Sequence, residues 1–303
     1  MTIRSDDPEG AARVSFIGAG PGDVELMTLR GRALIEQADV LIYADSLVDD
    51  AICAWAQPHA DIYRSSAMTL EETTAVMVQA ARAGRRVVRV QSGDPSLYGA
   101  IHEQMAALDR AGIPYTIVPG VSSAFAAAAS LGVELTVPEV SQTVIFTRLP
   151  GRTSVPDGER LRDLATHGAT LAIFLSITRI RKVCDELRAG GYAAETPVAV
   201  VHRASWPDEL VLRGSLADIA DRVKQAGLKA QALILVGRAV DRDLRRRTQE
   251  SDVALRSNLY DPGYTHTYRR GSDRQRRPDP ADPEQDMAPP AVVPADPGAG
   301  HEH

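Results

Sequence analysis

Three short segments join glycine to acid or hydroxyl side chains where a strand gives way to the next element. They are GAGPGD at Gly18–Asp23, QSGDPSLYGA at Gln91–Ala100 and PGVSSAFAAAAS at Pro119–Ser130. Glycine at a strand end leaves backbone N–H groups uncovered, which suits a ligand in the crevice outside the carboxyl edge of a parallel sheet. GAGPGD begins like the dinucleotide fingerprint GxGxxG, but Asp23 stands at the third glycine position and Pro21 fills the crossing. A carboxylate there repels the pyrophosphate that such a loop otherwise binds, so dinucleotide binding is disfavoured. An NAD-type oxidoreductase remains the competing enzyme reading, because Asp45 follows at about the right distance for a ribose contact. In the second segment Asp94 before Pro95 reads as a helix N-cap and first-turn proline. That leaves Ser92 and Gly93 to admit a ligand, and puts Tyr98 one turn into the helix, facing crevice or core. In the third, two serines open an alanine-rich helix that either packs closely or leaves room for a flat ligand.

These segments need a scaffold, and the pattern around them supplies one. From Arg13 short β-branched runs alternate with amphipathic stretches: VSFIG, VELMTLRGRALIEQ, ADVLIYA, GRRVVRVQSG, IHEQMAALDRAG and IPYTIVPG. Such alternation predicts βα units and a mostly parallel sheet. Pro138 and its polar flank interrupt the pattern, and a second set follows: TVIFTRL, a Pro/Gly loop at 150–158, a helix at 159–166, ATLAIFLS, TRIRKVCDELRAGG, TPVAVVHRAS, ELVLRGS, LADIADRVKQAG and QALILVG. Two adjacent strands with no helix between them predict a mixed second sheet. The expected fold is therefore α/β with two domains, at 13–138 and 139–240, after a flexible N-terminus at 1–12. An extension at 241–270 and a disordered tail at 271–303, poor in apolar residues, complete the chain.

At 303 residues and 44% hydrophobic content there is material for two cores. A formal net charge of −6 offers no global field that would draw nucleic acid or an anionic membrane, so any grip on an anion must be local. The opening MTIRSDDPEGAAR lacks the apolar core of a secretory signal, and no run approaches the roughly 20 residues of a membrane span, so a cytoplasmic location is expected. Cys53 and Cys184 lack ligand spacing and read as buried thiols; the closing HEH reads as incidental, and no protein-bound metal is expected.

Taken together, GAGPGD, YADSLV, QSGDPSLYG, PGVSS, FLSITRI, VAVVHRAS and ALILVGRAV, in this order, resemble the tetrapyrrole methylase family, which includes uroporphyrinogen III and precorrin methyltransferases. The resemblance covers about 13–240. It implies S-adenosylmethionine between the domains, touching Pro21, Ser92, Gly93, Asp94, Leu97, Ser122, Ser123, Leu175, Ser176, Ala204, Ala232 and Leu233. It also implies a tetrapyrrole acceptor and a homodimer, with no nucleic acid or membrane partner. YADSLV and SNLYDPGYTHTYR at 257–269 look most like the branch that methylates C-11 of precorrin-4 to give precorrin-5 in cobalamin synthesis. The stretch YRSSAMT lacks the lysine of the uroporphyrinogen branch; cobalt-precorrin-4, uroporphyrinogen III and a non-catalytic tetrapyrrole-binding role stand as alternatives. For this chemistry Asp45 is the candidate polar or general-base contact. Arg64, Arg148, Arg179 and Arg203 are candidates for acceptor carboxylates. His102 and His202 read as satisfied polar residues.

Overall fold

The computed structural model describes residues 14–151, 153–246, 265 and 267–269. The expected N-terminal arm at 1–12, the tail at 271–303, and residues 257–264 and 266 of the SNLYDPGYTHTYR segment lie outside the described residues.

Five strands, β1 (Val14–Gly18), β2 (Val40–Tyr43), β3 (Asp61–Arg64), β4 (Val87–Gln91) and β5 (Tyr115–Val118), form a sheet in the order β3-β2-β4-β1-β5 with every pair parallel. Every residue of β1, β2 and β4 is buried, as a parallel sheet covered on both faces requires. On one face Met77 of α2 (Leu70–Arg82) and Leu108 of α3 (Ile101–Ala111) pack with Phe16, Val40 and Ile42. On the other, Ile35 of α1 (Leu29–Glu36) packs with Ile17, Leu41 and Val90.

The second sheet holds β6 (Val144–Arg148), β7 (Thr170–Phe174), β8 (Pro197–His202), β9 (Leu210–Ser215) and β10 (Ala232–Val236), in the order β6-β7-β10-β8-β9. Only β6 and β7 pair in parallel, and β8 with β9 makes the expected hairpin, so this sheet is mixed. Leu161 of α5 (Leu161–Ala165), Val183 and Leu187 of α6 (Ile180–Ala189) and Ile219 of α7 (Ile219–Gln225) cover one face. The opposite face takes α4 (Ser123–Leu131), whose Ala124, Ala127 and Ala128 pack with Ala172, Ala199, Val201 and Leu235. Close packing therefore accounts for the alanine run, since small side chains let a helix approach a sheet. Both sheets lie in one compact unit. We accordingly propose the division at 138/139 as a change of sheet and not as a line between separable bodies.

Three expectations need correction. The stretch 24–37 is not one helix: a single 3-10 turn at Val24–Leu26 gives way to extended Met27, and α1 begins afresh after Thr28, whose hydroxyl accepts from the N–H of Gly31. Asp94 does not cap α3, which starts seven residues later behind Ala100 in a left-handed conformation (φ 49°). Tyr98 consequently sits in a loop, itself at φ 56°. The reading also passes over β3 and α2. β3 is a largely exposed edge strand with little apolar signature, whereas α2 carries a legible start: the Thr69 hydroxyl accepts from the N–H of Glu72, and the Glu72 carboxylate accepts from the N–H of Thr69. Replacing Thr69 by Ala is expected to cost about 1 kcal/mol, read as a lower urea midpoint at unchanged m-value.

Candidate functional site

The loops after β1, β4 and β5 converge at the carboxyl edge of the parallel sheet, and they touch through backbone. A Cβ on Gly18 would lie 2.3 Å from the Gly93 carbonyl oxygen, and one on Gly120 would lie 2.1 Å from the same atom. Gly93 and Gly20 exchange hydrogen bonds, at 2.7 Å to the Gly20 carbonyl and 3.3 Å in return, with Gly93 at φ +60°. Asp94 sews this junction together. One carboxylate oxygen accepts from the N–H of Gly120 at 2.9 Å, and the other accepts from the N–H and hydroxyl of Ser96. Burial pushes its pKa up, but the bonds from Ser96 and Gly120 prevail and hold it below the usual carboxylate range.

Beside the junction, between the two sheets, is a cavity of about 530 Å³. Pro21, Ser92, Gly93, Asp94, Leu97, Ser122, Ser123, Leu175, Ala204, Ala232 and Leu233 all line it. Ser176 does not. It is fully buried, accepting from the N–H of Leu149 and donating to the Phe174 carbonyl, and so ties the ends of β6 and β7. Asp45 also stays off the wall: its oxygens accept from the N–H and hydroxyl of Ser66 at 2.8 and 2.7 Å. Its neighbours Ser46 and Leu47 reach the cavity instead.

Two clamps across the cavity are absent from the sequence reading. Trp206 donates its indole N–H to the Pro21 carbonyl at 3.0 Å, with its ring where a Cβ on Gly22 would collide, while the N–H of Asp23 donates to the Ser205 hydroxyl. On the other side Gln231 donates its side-chain amide to the Ser46 carbonyl at 2.9 Å. Arg203 stacks on Trp206 with its guanidinium carbon 4.2 Å from the ring centroid, and pairs with Asp208. Tyr98, Leu175, Arg203 and Gln231 all line the cavity at left-handed φ between 49° and 56°. Backbone in this region is strained for residues other than glycine and gathers at functional sites. The signal for Trp206 was thin, a lone tryptophan in a polar loop, and Gln231 had none.

Asp23 answers the dinucleotide question. Its carboxylate accepts from the N–H of Glu25 and caps a three-residue turn, filling the place a phosphate would need. Among the arginines, Arg64 is held by Asp50 and the Tyr43 hydroxyl. Arg148 and Arg179 bond only carbonyls of the loop after β6. His102 is exposed on α3, and His202 ends β8 outside the cavity lining. Burial raises the Cys184 thiol to about 11 and leaves it inert. Among the described residues no group of three or more His, Cys, Asp or Glu is placed to hold a metal.

A two-sheet α/β frame with a ligand crevice between its halves, closed by backbone and small side chains, defines a class of group-transfer enzyme. Residues 13–220 match the model of the tetrapyrrole (corrin/porphyrin) methylases, and the chain belongs to that family; it is a methyltransferase. It is 52% identical over 258 residues to a cobalt-precorrin-4 C(11)-methyltransferase of Methanocaldococcus jannaschii, covering 85% of this chain and 96% of that protein. It is 47% identical over 258 residues to a precorrin-4 C(11)-methyltransferase of Pseudomonas aeruginosa, covering 85% and 99%. Among solved structures, a cobalt precorrin-4 methyltransferase aligns with a TM-score of 0.75 at 47% identity, covering 78% of this chain and all of the other. A uroporphyrin-III C-methyltransferase of Thermus thermophilus, complexed with S-adenosyl homocysteine, aligns at 0.65 and 30% identity, covering 75% and 98%.

Two outcomes test the junction and its clamp. Asp94 has a depressed folded pKa, so its stabilisation is present above the unfolded value of about 4 and is lost as pH falls through the folded value. Asp94→Asn should therefore flatten the acid limb of stability below about pH 4, measured by urea midpoints across pH. Trp206→Phe keeps a ring over Gly22 but removes the bond to Pro21. It should lower stability by about 1 kcal/mol and speed amide exchange at Gly22 and Asp23.

Proposed function

We propose that this chain transfers the methyl group of S-adenosylmethionine to C-11 of precorrin-4, giving precorrin-5 in cobalamin synthesis. The observation carrying this reading is the convergence of eleven of the twelve donor positions expected from sequence on one cavity of about 530 Å³. Its wall leaves room for the donor, because Gly93, Ser122 and Ser123 line it with small residues. When bound, S-adenosylmethionine supplies an electrophilic methyl group on a positively charged sulfur. Pro21, Ser92–Leu97, Ser122–Ser123, Leu175, Ala204 and Ala232–Leu233 would hold it.

The chain's own residues then position rather than react. In-line transfer to carbon needs the acceptor carbon about 3 to 3.5 Å from the methyl, and no covalent nucleophile. A strong free anion beside the sulfonium would favour the ground state, since the sulfur becomes neutral in transfer. Asp94 avoids this by committing both oxygens to Ser96 and Gly120. Asp45 makes a poor base: although burial raises its pKa, the bonds from Ser66 hold it below the usual range. We assign Asp45 to fixing the loop that brings Ser46 and Leu47 to the cavity. The reduced tetrapyrrole brings electron-rich enamine carbons of its own. As carbon bonds to the methyl, the carbon–sulfur bond breaks, neutral S-adenosylhomocysteine leaves, and the macrocycle takes on the positive charge, which it sheds by losing a proton.

The relatives bear both metal-free and cobalt-bearing precorrin names, so the test includes both acceptors. Incubation with S-adenosylmethionine and either form of precorrin-4 should add one methyl group by mass spectrometry, located at C-11 by NMR, and release S-adenosylhomocysteine. A methyl group on another carbon would move the assignment within the family. S-adenosylhomocysteine should raise the melting temperature where NADH does not; the reverse would return the oxidoreductase reading. The same proposal makes the protein a cytoplasmic homodimer, which sedimentation equilibrium checks as twice the chain mass. No helix among the described residues is long and apolar enough to cross a membrane.

A further inference from the structure

The cavity opens onto a row of four aromatic rings that donor binding leaves unused. Tyr98 stands 5.3 Å from Phe174, centroid to centroid; Phe174 stands 6.1 Å from Phe146, and Phe146 6.0 Å from Phe125. Tyr98 and Phe174 line the cavity itself, while Tyr98 and Phe125 remain 43% and 56% exposed. Large apolar surface is left open here directly beside the place where a methyl group would be delivered.

Charge distinguishes this face from the rest of the cavity rim. Arg148 ends β6 directly opposite Phe174 in the parallel register, on the same face of the sheet. Its guanidinium donates to the carbonyls of Leu149, Thr153 and Ser154 at 2.9 to 3.3 Å. Arg179 likewise donates to the Pro150 and Leu149 carbonyls. Among the described residues neither forms an ion pair, in contrast to Arg64 with Asp50 and Arg203 with Asp208. Arg148, at the end of β6, and Arg179 thus direct their guanidinium groups to neutral carbonyl oxygens of the loop after β6. Arg148 is close enough to Tyr98 to act electrostatically on its phenol, as does the exposed Glu159 with opposite sign.

We infer that Tyr98 and Phe125, the exposed ends of a row of rings tilted 52° to 90° from one to the next, pack against the acceptor, and that Arg148 binds one of the acceptor's peripheral carboxylates. The inference rests on the proposed function and decides among the four arginines that the sequence offers. Arg64 and Arg203 already have carboxylate partners, and a second carboxylate would have to displace the first. Arg148 offers a planar fork matched to a carboxylate, held at a fixed angle by the carbonyls behind it. A macrocycle packed against these rings would bring its arms to the edge where that fork stands.

The probe is uroporphyrin III, a stable macrocycle with a carboxylate on every arm, with its fully esterified form as the uncharged counterpart. Binding is read from the porphyrin absorption band, and S-adenosylhomocysteine binding is measured separately by calorimetry. Wild type should bind the acid much more tightly than the ester. Arg148→Gln should weaken the acid about tenfold or more, the scale of a lost charge-assisted bond, leave the ester unchanged and keep S-adenosylhomocysteine affinity. Arg64→Gln should leave acid binding at the wild-type level, and Tyr98→Ala should weaken acid and ester alike. The inference is overturned if wild type binds S-adenosylhomocysteine but no porphyrin, if acid and ester bind equally, or if Arg148→Gln binds the acid as wild type does. Equal loss of both ligands in Arg148→Gln also overturns it, by making the residue a loop anchor. Failure of wild type to bind S-adenosylhomocysteine would instead sink the parent reading.

Discussion

The site depends on the near-contact of three strand-end loops around the Gly93 carbonyl. Gly18 and Gly120 approach it so closely that a methyl group on either would overlap the oxygen. Because β4, β1 and β5 are neighbours in the sheet, their carboxyl ends emerge side by side, and glycine lets the loops stay together instead of splaying. The Gly20–Gly93 exchange and the bonds of Asp94 then pin them. Pro21, Ser92–Asp94, Leu97 and Ser122–Ser123 in the cavity wall hang from this junction, while Ser46 and Leu47 come from the loop after β2. A side chain at Gly18 or Gly120 would move the wall and not merely decorate it.

The second sheet supplies the opposite wall through strain and clamping. Leu175, Arg203 and Gln231 follow or precede strands β7, β8 and β10, and all three hold left-handed backbone without being glycine. Such conformations persist only where surroundings over-determine them. Here the surroundings are visible: the N–H of Arg203 donates to the Gln231 carbonyl, the Gln231 side chain reaches Ser46, and Arg203 stacks on the indole that grips Pro21. Gln231 is thus both a strained turn and a bond across the cavity, and strained Arg203 backs the indole that makes the other bond, which couples the shape of one wall to the position of the other.

Most of this frame was legible in the sequence because it rests on periodicity and on glycine. Both sheets announced themselves through β-branched runs, and the mixed character of the second through ELVLRGS following TPVAVVHRAS without a helix. Eleven of the twelve positions that the resemblance implies fall on one cavity, because resemblance works residue by residue where glycine and small side chains shape the wall. The failures share a cause. Asp94 looks like an N-cap before Pro95, and the local rule is sound, but its carboxylate is claimed by Gly120, twenty-six positions away. Ser176 and Asp45 were misjudged for the same reason: strand-end hydroxyls and acids find partners on neighbouring strands, and only the fold says which. Trp206 and Gln231 bond across 185 residues of sequence, a distance over which no local pattern carries information.

That division bears on how the reaction is accomplished. Where an enzyme makes a covalent bond to its substrate, sequence tends to betray the nucleophile through its partners. Transfer of a methyl group between two bound molecules asks instead for distance, alignment and exclusion of water. Those are properties of walls. A junction of closely packed glycines fixes one wall of the cavity, and clamps on two opposed loops fix the gap. An aromatic row ending in carbonyl-backed guanidinium suits the acceptor side. Each device acts through where it stands rather than through what it can protonate. The perturbed carboxylates fit this account: Asp45 and Asp94 are both lowered, not raised, and so stay charged and bonded through the working pH range. Asp94 in the cavity wall and Asp45 in a loop behind it are held as fixed acceptors, the role that positioning requires.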